Sequence, residues 1–294
     1  MIIPSRWMTG GKGLDDFRNK MLKDKRISLL HDYLNASTCF PNVAIEGGVC
    51  YFLWEAEPLN GKGINHECTI ITHYADGTKQ QSKRLLSEGN GDIFIRDNIA
   101  LGILKKVKST AKDFFDSLVK TRMPFGIGNI PIEKTNEKPL AKDDLKIYIR
   151  NNGTREYRYI HSFNASKNKD LIDKYKIFIS KADGAAGQIG NPIPARIIGK
   201  GEIGEPHTIC TETFLVVGPF NNKEEAQVCL NYMKTKFFRF LVGIRKNKNM
   251  TKDTYKFAPL IDFTKSISNQ ALYKQYKLSD NEISYIEMMI QEMN

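Results

Sequence analysis

The 294-residue chain has no run approaching 18 consecutive apolar residues, so no segment is expected to cross a membrane. Met1 to Trp7 lacks a charged stretch leading into an apolar one, and no secretory signal is read there. Cysteine is scarce: Cys39, Cys50, Cys68, Cys210 and Cys229 are odd in number and form no CxxC pair, which argues against a zinc site or a disulfide framework. They read as small buried hydrophobes in a reducing compartment. Repeats and low-complexity tracts are absent, as are GxSxG, a Walker A loop and an HxxxH pair. The five histidines are scattered, so no metal site is expected. Acidic residues are also short, 33 against 44 Lys+Arg, and the resulting charge of +11 favours a polyanionic partner over a merely solvated surface.

What is present is a mixed α/β pattern, α+β overall. Met1 to Pro4 looks like a strand end, followed by a glycine-rich turn at Gly10, Gly11 and Gly13. Leu14, Phe17, Met21 and Leu22 then predict a short amphipathic helix ending near Asp24. The apolar runs Arg26–Tyr33 and Val49–Trp54 are short enough for buried strands, and Cys68–Thr72 for a third. Helices are expected at about Asn98–Lys108 and Lys112–Lys120. Beyond Met123 the texture changes to short β-rich runs, at Lys146–Arg150, Glu156–His161, Tyr175–Lys181, Ala195–Gly199 and Thr213–Gly218. A capped helix from Asn221 or Asn222 carries the apolar stripe Leu230, Met233, Phe237, Phe240 or Leu241, and Ile244, and a last helix runs from Asp280 to Met293 behind Ser279 and Glu282.

Few motifs carry chemistry. Gly199-Lys200-Gly201-Glu202-Ile203-Gly204 matches GxGxxG, but Pro206 and a strand follow where a dinucleotide site needs a helix, so a glycine turn is expected. Phe125-Gly126-Ile127-Gly128 has no strand ahead of it, and Asn191-Pro192-Ile193-Pro194 only half resembles Asn-Pro-Pro-aromatic. Asp144-Leu145-Lys146 could end a nuclease D-x-K site, a third class that would require metal-dependent cleavage abolished by replacing Asp144. The strongest signal is a basic stretch, Lys234, Lys236, Arg239, Arg245, Lys246, Lys248 and Lys252, interleaved with Phe237, Phe238, Phe240, Tyr255 and Phe257. It reads either as a phosphate-gripping surface or as a helix with core aromatics and solvated cations.

Several segments, in order, resemble one family. Ile2-Ile3-Pro4-Ser5-Arg6-Trp7, Gly10–Arg18 (GGKGLDDFR), Cys39-Phe40-Pro41-Asn42-Val43, Gly47–Trp54, Cys210–Phe220 and Thr235–Leu241 are similar to the later motifs of adenine-specific DNA methyltransferases of restriction–modification systems, TaqI-like enzymes and their fused relatives. The resemblance implies a fold: the C-terminal strands and helix of a Rossmann-like catalytic sheet over residues 1–60, a helical connecting region over 61–122 and a mixed α+β target-recognition domain over 123–294. It implies double-stranded DNA as partner and a bacterial cytoplasmic setting. It also implies that Phe40, followed by Pro41, stacks on the flipped adenine, the alternative being an ordinary core phenylalanine.

The glycine-rich methyl-donor motif and the Asn-Pro-Pro-Tyr/Phe motif of that family do not occur in these residues. No catalytic or cofactor-binding residue is therefore assigned, and S-adenosylmethionine is expected only in a complete enzyme joined to an N-terminal methyltransferase part. Alone, the chain is expected to be inactive. The other reading is a stand-alone sequence-specific DNA-binding protein or non-catalytic remnant.

Overall fold

The computed structural model describes residues 2–10, 13–43, 45, 47–56, 67–74, 76–89, 92–182, 184, 193–246 and 249–293. The chain divides into two compact units, Met1–Ser109 and Thr110–Asn294.

In the first unit a mixed sheet is built from β1 (Ile2–Pro4), β2 (Ile27–Tyr33), β3 (Val49–Trp54), β4 (Cys68–His73) and β5 (Lys79–Arg84), in the order β1-β3-β2-β4-β5. Only β2 and β4 run parallel; the other pairs are antiparallel. Alternation along β2 decides which face is covered: Leu30 and Asp32 are buried, whereas Leu29, His31 and Tyr33 on the other face are half-buried. The covered face carries a core of Trp7, Met8, Leu22, Leu30, Cys50, Ile70, Leu86 and Phe94. Helix α1 (Asp15–Lys23) supplies Leu22 to that core and keeps Asp15 and Asp16 in its first turn, where acidic side chains suit the helix dipole. Helix α2 (Asn98–Thr110) buries Ala100, Leu101, Ile103, Leu104 and Val107.

The segment expected to be a helical connection therefore holds two strands, β4 and β5, of the first sheet. β5 reads KQQSKR, a polar edge strand whose only buried residue is Arg84, so hydrophobic alternation gave no sign of it. The helix expected over Lys112–Lys120 is replaced by a 3-10 turn at Phe115–Leu118 and a two-residue strand, β6 (Val119–Lys120). Pairing of β6 with the strand Phe214–Phe220 and burial of Phe115 override the helical spacing there.

Among its described residues the second unit contains two sheets. β6, β9 (Tyr175–Ser180), β10 (Glu202–Gly204) and β12 (Phe214–Phe220) form one, ordered β10-β9-β12-β6; β7 (Leu145–Asn151), β8 (Thr154–Ile160) and β11 (Thr208–Cys210) form the other, ordered β11-β7-β8. Tyr148 of β7 lies 5.6 Å from Phe178 and 4.7 Å from Phe214, ring to ring, which joins the two sheets in one core. Ala195–Gly199 is not a strand; its pairing is one isolated bridge, Ala195 to Ile290.

The single helix expected beyond Asn222 is two. Asn222 caps α3 (Lys223–Lys234) through the Glu225 amide at 2.8 Å, and Thr235 then closes α3 and caps α4 (Lys236–Arg245) through the Phe238 amide. Helix α5 (Asn269–Gln275) follows, and α6 (Asp280–Met289) starts in the Ser279/Glu282 capping box read from the sequence. Four of the cysteines are buried and Cys39 is half-buried, all as free thiols. Among the described residues no helix is long and apolar enough to cross a membrane.

Candidate nucleic-acid interface

The loop between β2 and β3 carries Phe40 and Pro41, and both are exposed, Phe40 at 38%. This excludes the core reading of Phe40; its ring makes no aromatic contact among the described residues. The loop is nevertheless braced from inside. Asn35 caps a short 3-10 turn by accepting from the Ser37 amide at 3.0 Å, Ala36 is buried beneath it, and the Phe40 amide donates to the Ala36 carbonyl at 2.9 Å.

Both ends of the loop are tied to one guanidinium. Arg96 donates to both carboxylate oxygens of Asp32, at 2.7 and 2.5 Å, and also to the Gly47 carbonyl at 2.6 Å and the Tyr33 carbonyl at 3.3 Å. Asp32 is completely buried and accepts a further bond from the Ser5 hydroxyl at 3.1 Å. The Ser5 amide donates to the Gly48 carbonyl at 2.9 Å. Gly48 has φ +79, and a Cβ there would lie 2.0 Å from the Tyr33 carbonyl oxygen, so the close return of the chain requires glycine.

Four rings line the same end of the sheet. Tyr33 stacks on His73 with centroids 3.9 Å apart, Tyr51 stacks on His31 at 4.5 Å, and His31 Nδ1 lies 2.9 Å from His73 Nε2. Burial, aided by the Lys79 charge, lowers the pKa of both histidines, and for His73 the neighbouring His31 adds to the effect. Burial also pushes the Tyr33 hydroxyl up to about 12, and its bond with Tyr51 adds to the shift.

In the second unit the basic stretch separates into two populations. Lys236 is buried and donates to the Glu287 carboxylate at 2.7 Å, with Glu292 at 2.8 Å; burial disfavours its charge, but these two carboxylates outweigh it and raise the pKa. Arg239 is completely buried, donates to the Lys234 carbonyl at 3.0 Å, and is lowered to about 10 by burial. Lys246 is completely buried as well. Lys234 is half-buried, Arg245 is half-buried with its guanidinium 4.9 Å from the Phe257 ring centroid, and Lys252 is exposed. Lys248 lies outside the described residues. The interleaved aromatics are interior: Phe237, Phe238, Phe240, Tyr255 and Phe257 are all fully buried.

The two remaining glycine motifs fall into structural roles. Cβ atoms at Gly201 and Gly204 would meet Ile179, Leu230 and Phe178 within 2.6–2.8 Å, so these glycines admit neighbouring side chains against β10, and the run offers no cradle for a donor or dinucleotide. Phe125–Gly128 is a turn with Phe125 and Ile127 in the core. Asn191 and Pro192 lie outside the described residues. Asp144 of the D-x-K triplet does have neighbours: oxygen atoms of Asp143 and Asp144 and a His161 nitrogen lie within 4.8 Å of one another. Asp144 caps the Leu140 and Ala141 amides, and Asp143 accepts from the Ser162 hydroxyl at 2.7 Å.

Sequence reasoning singled out Phe40 but not Arg96, Asp32, Ser5 and Gly48, which hold its loop, or the Tyr33/His73/His31/Tyr51 array. Asp32 and Arg96 are 64 positions apart, and Asp32 sits in an otherwise apolar run, so no local pattern pairs them.

Comparison with known proteins gives a family-model match at the N-terminus. Residues 1–40 match the family model of the Eco57I restriction-modification methylases. An "uncharacterized adenine-specific methylase" of Mycoplasma pneumoniae is 38% identical over 56 residues, 19% of this chain and 13% of the relative's length. The type IIG restriction endonuclease BpuSI aligns with 95% of this chain and 42% of its own, at 11% identity and TM-score 0.33, too distant for an argument about structure. The chain thus spans well under two thirds of the proteins it matches.

Proposed function

We propose that this chain is the DNA-recognising, C-terminal part of a site-specific adenine-N6 DNA methyltransferase of a restriction–modification system. The observation that carries the reading is Phe40: an exposed aromatic on a braced loop, at the end of the 40 residues that match the methylase family. The loop leaves the carboxyl end of β2, and His73 ends the parallel strand β4 beside it, the end of an α/β sheet where ligands bind.

A base rotated out of a duplex loses its stacking partners, and the Phe40 ring, kept in place by Pro41 and the Arg96 brace, replaces part of that energy. Holding the base in one plane is a positioning task, and it needs no titrating group on Phe40. In the second unit Lys234, Arg245 and Lys252 reach the surface and meet phosphates, while Lys236, Arg239 and Lys246 hold helix packing. S-adenosylmethionine supplies the methyl group in the complete enzyme. The Gly199–Gly204 run does not fit it, so binding the donor and holding the adenine amino group fall to other parts of the complete enzyme. By themselves these residues bind DNA without methylating it.

A duplex with one bulged 2-aminopurine tests the stacking role without requiring the chain to open a base pair. Binding should quench the probe in the native chain and in Phe40→Tyr. Phe40→Ala should lose the quench and bind that duplex about 5- to 150-fold more weakly, the range of one base–aromatic stack. Equal quenching by Phe40→Ala would contradict the role.

A further inference from the structure

A second basic site lies at the other end of the β2–β3 hairpin. Asn19, Lys20, Lys23, Asp24, Lys25 and Arg26 line a cleft of about 670 Å³ where α1 turns into β2. The one carboxylate is already neutralised: Asp24 accepts from Arg26 Nε and Nη2, both at 2.8 Å, from the Arg26 amide at 3.0 Å and from Trp54 Nε1 at 3.0 Å. The Arg26 hydrogen bond is the main reason its carboxyl is lowered to about 2. Lys20, Lys23 and Lys25 are exposed and make no ion pair among the described residues. Lys20 and Lys23 occupy the last turn of α1, where a cation is favoured by the helix dipole. Lys25 and Arg26 lie beyond the helix and have no such reason to be basic.

Beside these cations stands a fixed aromatic. The Arg26 guanidinium covers one face of Trp54 at 4.4 Å from the ring centroid, and Asp24 holds the indole N–H, yet Trp54 remains 43% exposed and its neighbour Leu53 52%. A ring locked by two side chains and left open to solvent, next to three unpaired lysines, offers one partner both phosphate neutralisation and an apolar or stacking contact. An acidic protein segment would use the lysines; a nucleic acid would use the lysines and the ring together.

We propose that the Lys20–Lys23–Lys25–Arg26 cleft, with Trp54 at its edge, is a second nucleic-acid contact that grips phosphates. β2 pairs with β3 from Ile27, opposite Trp54, to Tyr33 at the root of the Phe40 loop, so the cleft and the loop are separated by the length of a seven-residue strand, about 20 Å. The cleft therefore binds backbone away from the recognised base, independent of sequence. This rests on DNA being the substrate, as proposed above, but not on the role of Phe40.

The chain's own fluorescence tests it. Its two tryptophans are Trp7, buried, and Trp54, exposed, so quenching by a bound polyanion reads Trp54. Titration with a labelled duplex of arbitrary sequence should quench the emission of the native chain. The triple variant Lys20→Ala/Lys23→Ala/Lys25→Ala should lose the quench, and the slope of log affinity against log salt should fall by about 2 to 3, near 0.9 for each lost phosphate contact. Duplex anisotropy that rises normally with native quench and slope in the triple variant overturns the cleft and leaves the DNA reading standing. Poly-aspartate quenching Trp54 as strongly as duplex at equal charge overturns the choice of nucleic acid. Anisotropy that never rises with the native chain overturns the DNA reading and the cleft with it.

Discussion

Replacing Arg96 by Met is expected to destabilise the N-terminal unit by about 3–5 kcal/mol, the cost of leaving a buried charge without its partner. Asp32 is completely buried, and without Arg96 its remaining side-chain partner among the described residues is the Ser5 hydroxyl. The Gly47 and Tyr33 carbonyls lose a charged donor at the same time. The pair as a whole need not be strongly stabilising, because both ions leave water to form it, so the double variant Arg96→Met/Asp32→Leu should recover at least half of the loss. Both tryptophans lie in Met1–Ser109, and urea unfolding followed by their emission reports this unit. The folded single variant should also quench bulged 2-aminopurine less than the native chain, since the ends of the Phe40 loop are released. A single variant within about 0.5 kcal/mol of the native chain would contradict the brace.

The second large effect falls in the basic-aromatic stretch. Phe238→Ala should cost about 3–5 kcal/mol, the usual price for truncating a buried phenylalanine. Its ring is fully buried, 4.8 Å from Phe115 and 4.9 Å from Tyr232, in a group that includes Tyr255. Lys252→Ala, at an exposed position, should stay within about 0.5 kcal/mol while weakening DNA binding. Thermal unfolding followed by far-UV circular dichroism separates the two. A tolerated Phe238→Ala with lost DNA binding would instead make the aromatics a stacking surface.

That contrast shows where sequence was legible. β2, β3 and β4, helices α1, α2 and α6 and the Asn222 and Ser279 caps follow from local signals: apolar runs of strand length, 3- and 4-residue spacing, and a hydroxyl or amide side chain before an acidic first turn. β5 escaped because an edge strand need not be apolar, and β10 and β11 because three residues carry no period. The division at Thr235 between α3 and α4 escaped because the apolar stripe runs through it; the cap geometry, not hydrophobicity, separates the helices.

Site residues divide in the same way. The position of Phe40 in the β2–β3 loop is exposed, as a residue outside the core would be. Composition could not tell Lys252 from Lys246, since a lysine completely buried against α4 and one in solvent look alike in a charge count. The Asp32–Arg96 pair and the four-ring array depend on strands β2, β3 and β4 meeting in register, His31 opposite Tyr51 and Tyr33 beside His73. Such juxtapositions arise only once the sheet forms.

The central claim, that these residues recognise duplex DNA at a specific site, is tested most directly by selection from a random duplex library with the native chain. The account predicts enrichment of one short sequence containing adenine, with binding that weakens steeply as salt rises because lysine and arginine displace counterions from phosphates. A pool that stays random after repeated rounds, with binding absent or indifferent to salt, would contradict it.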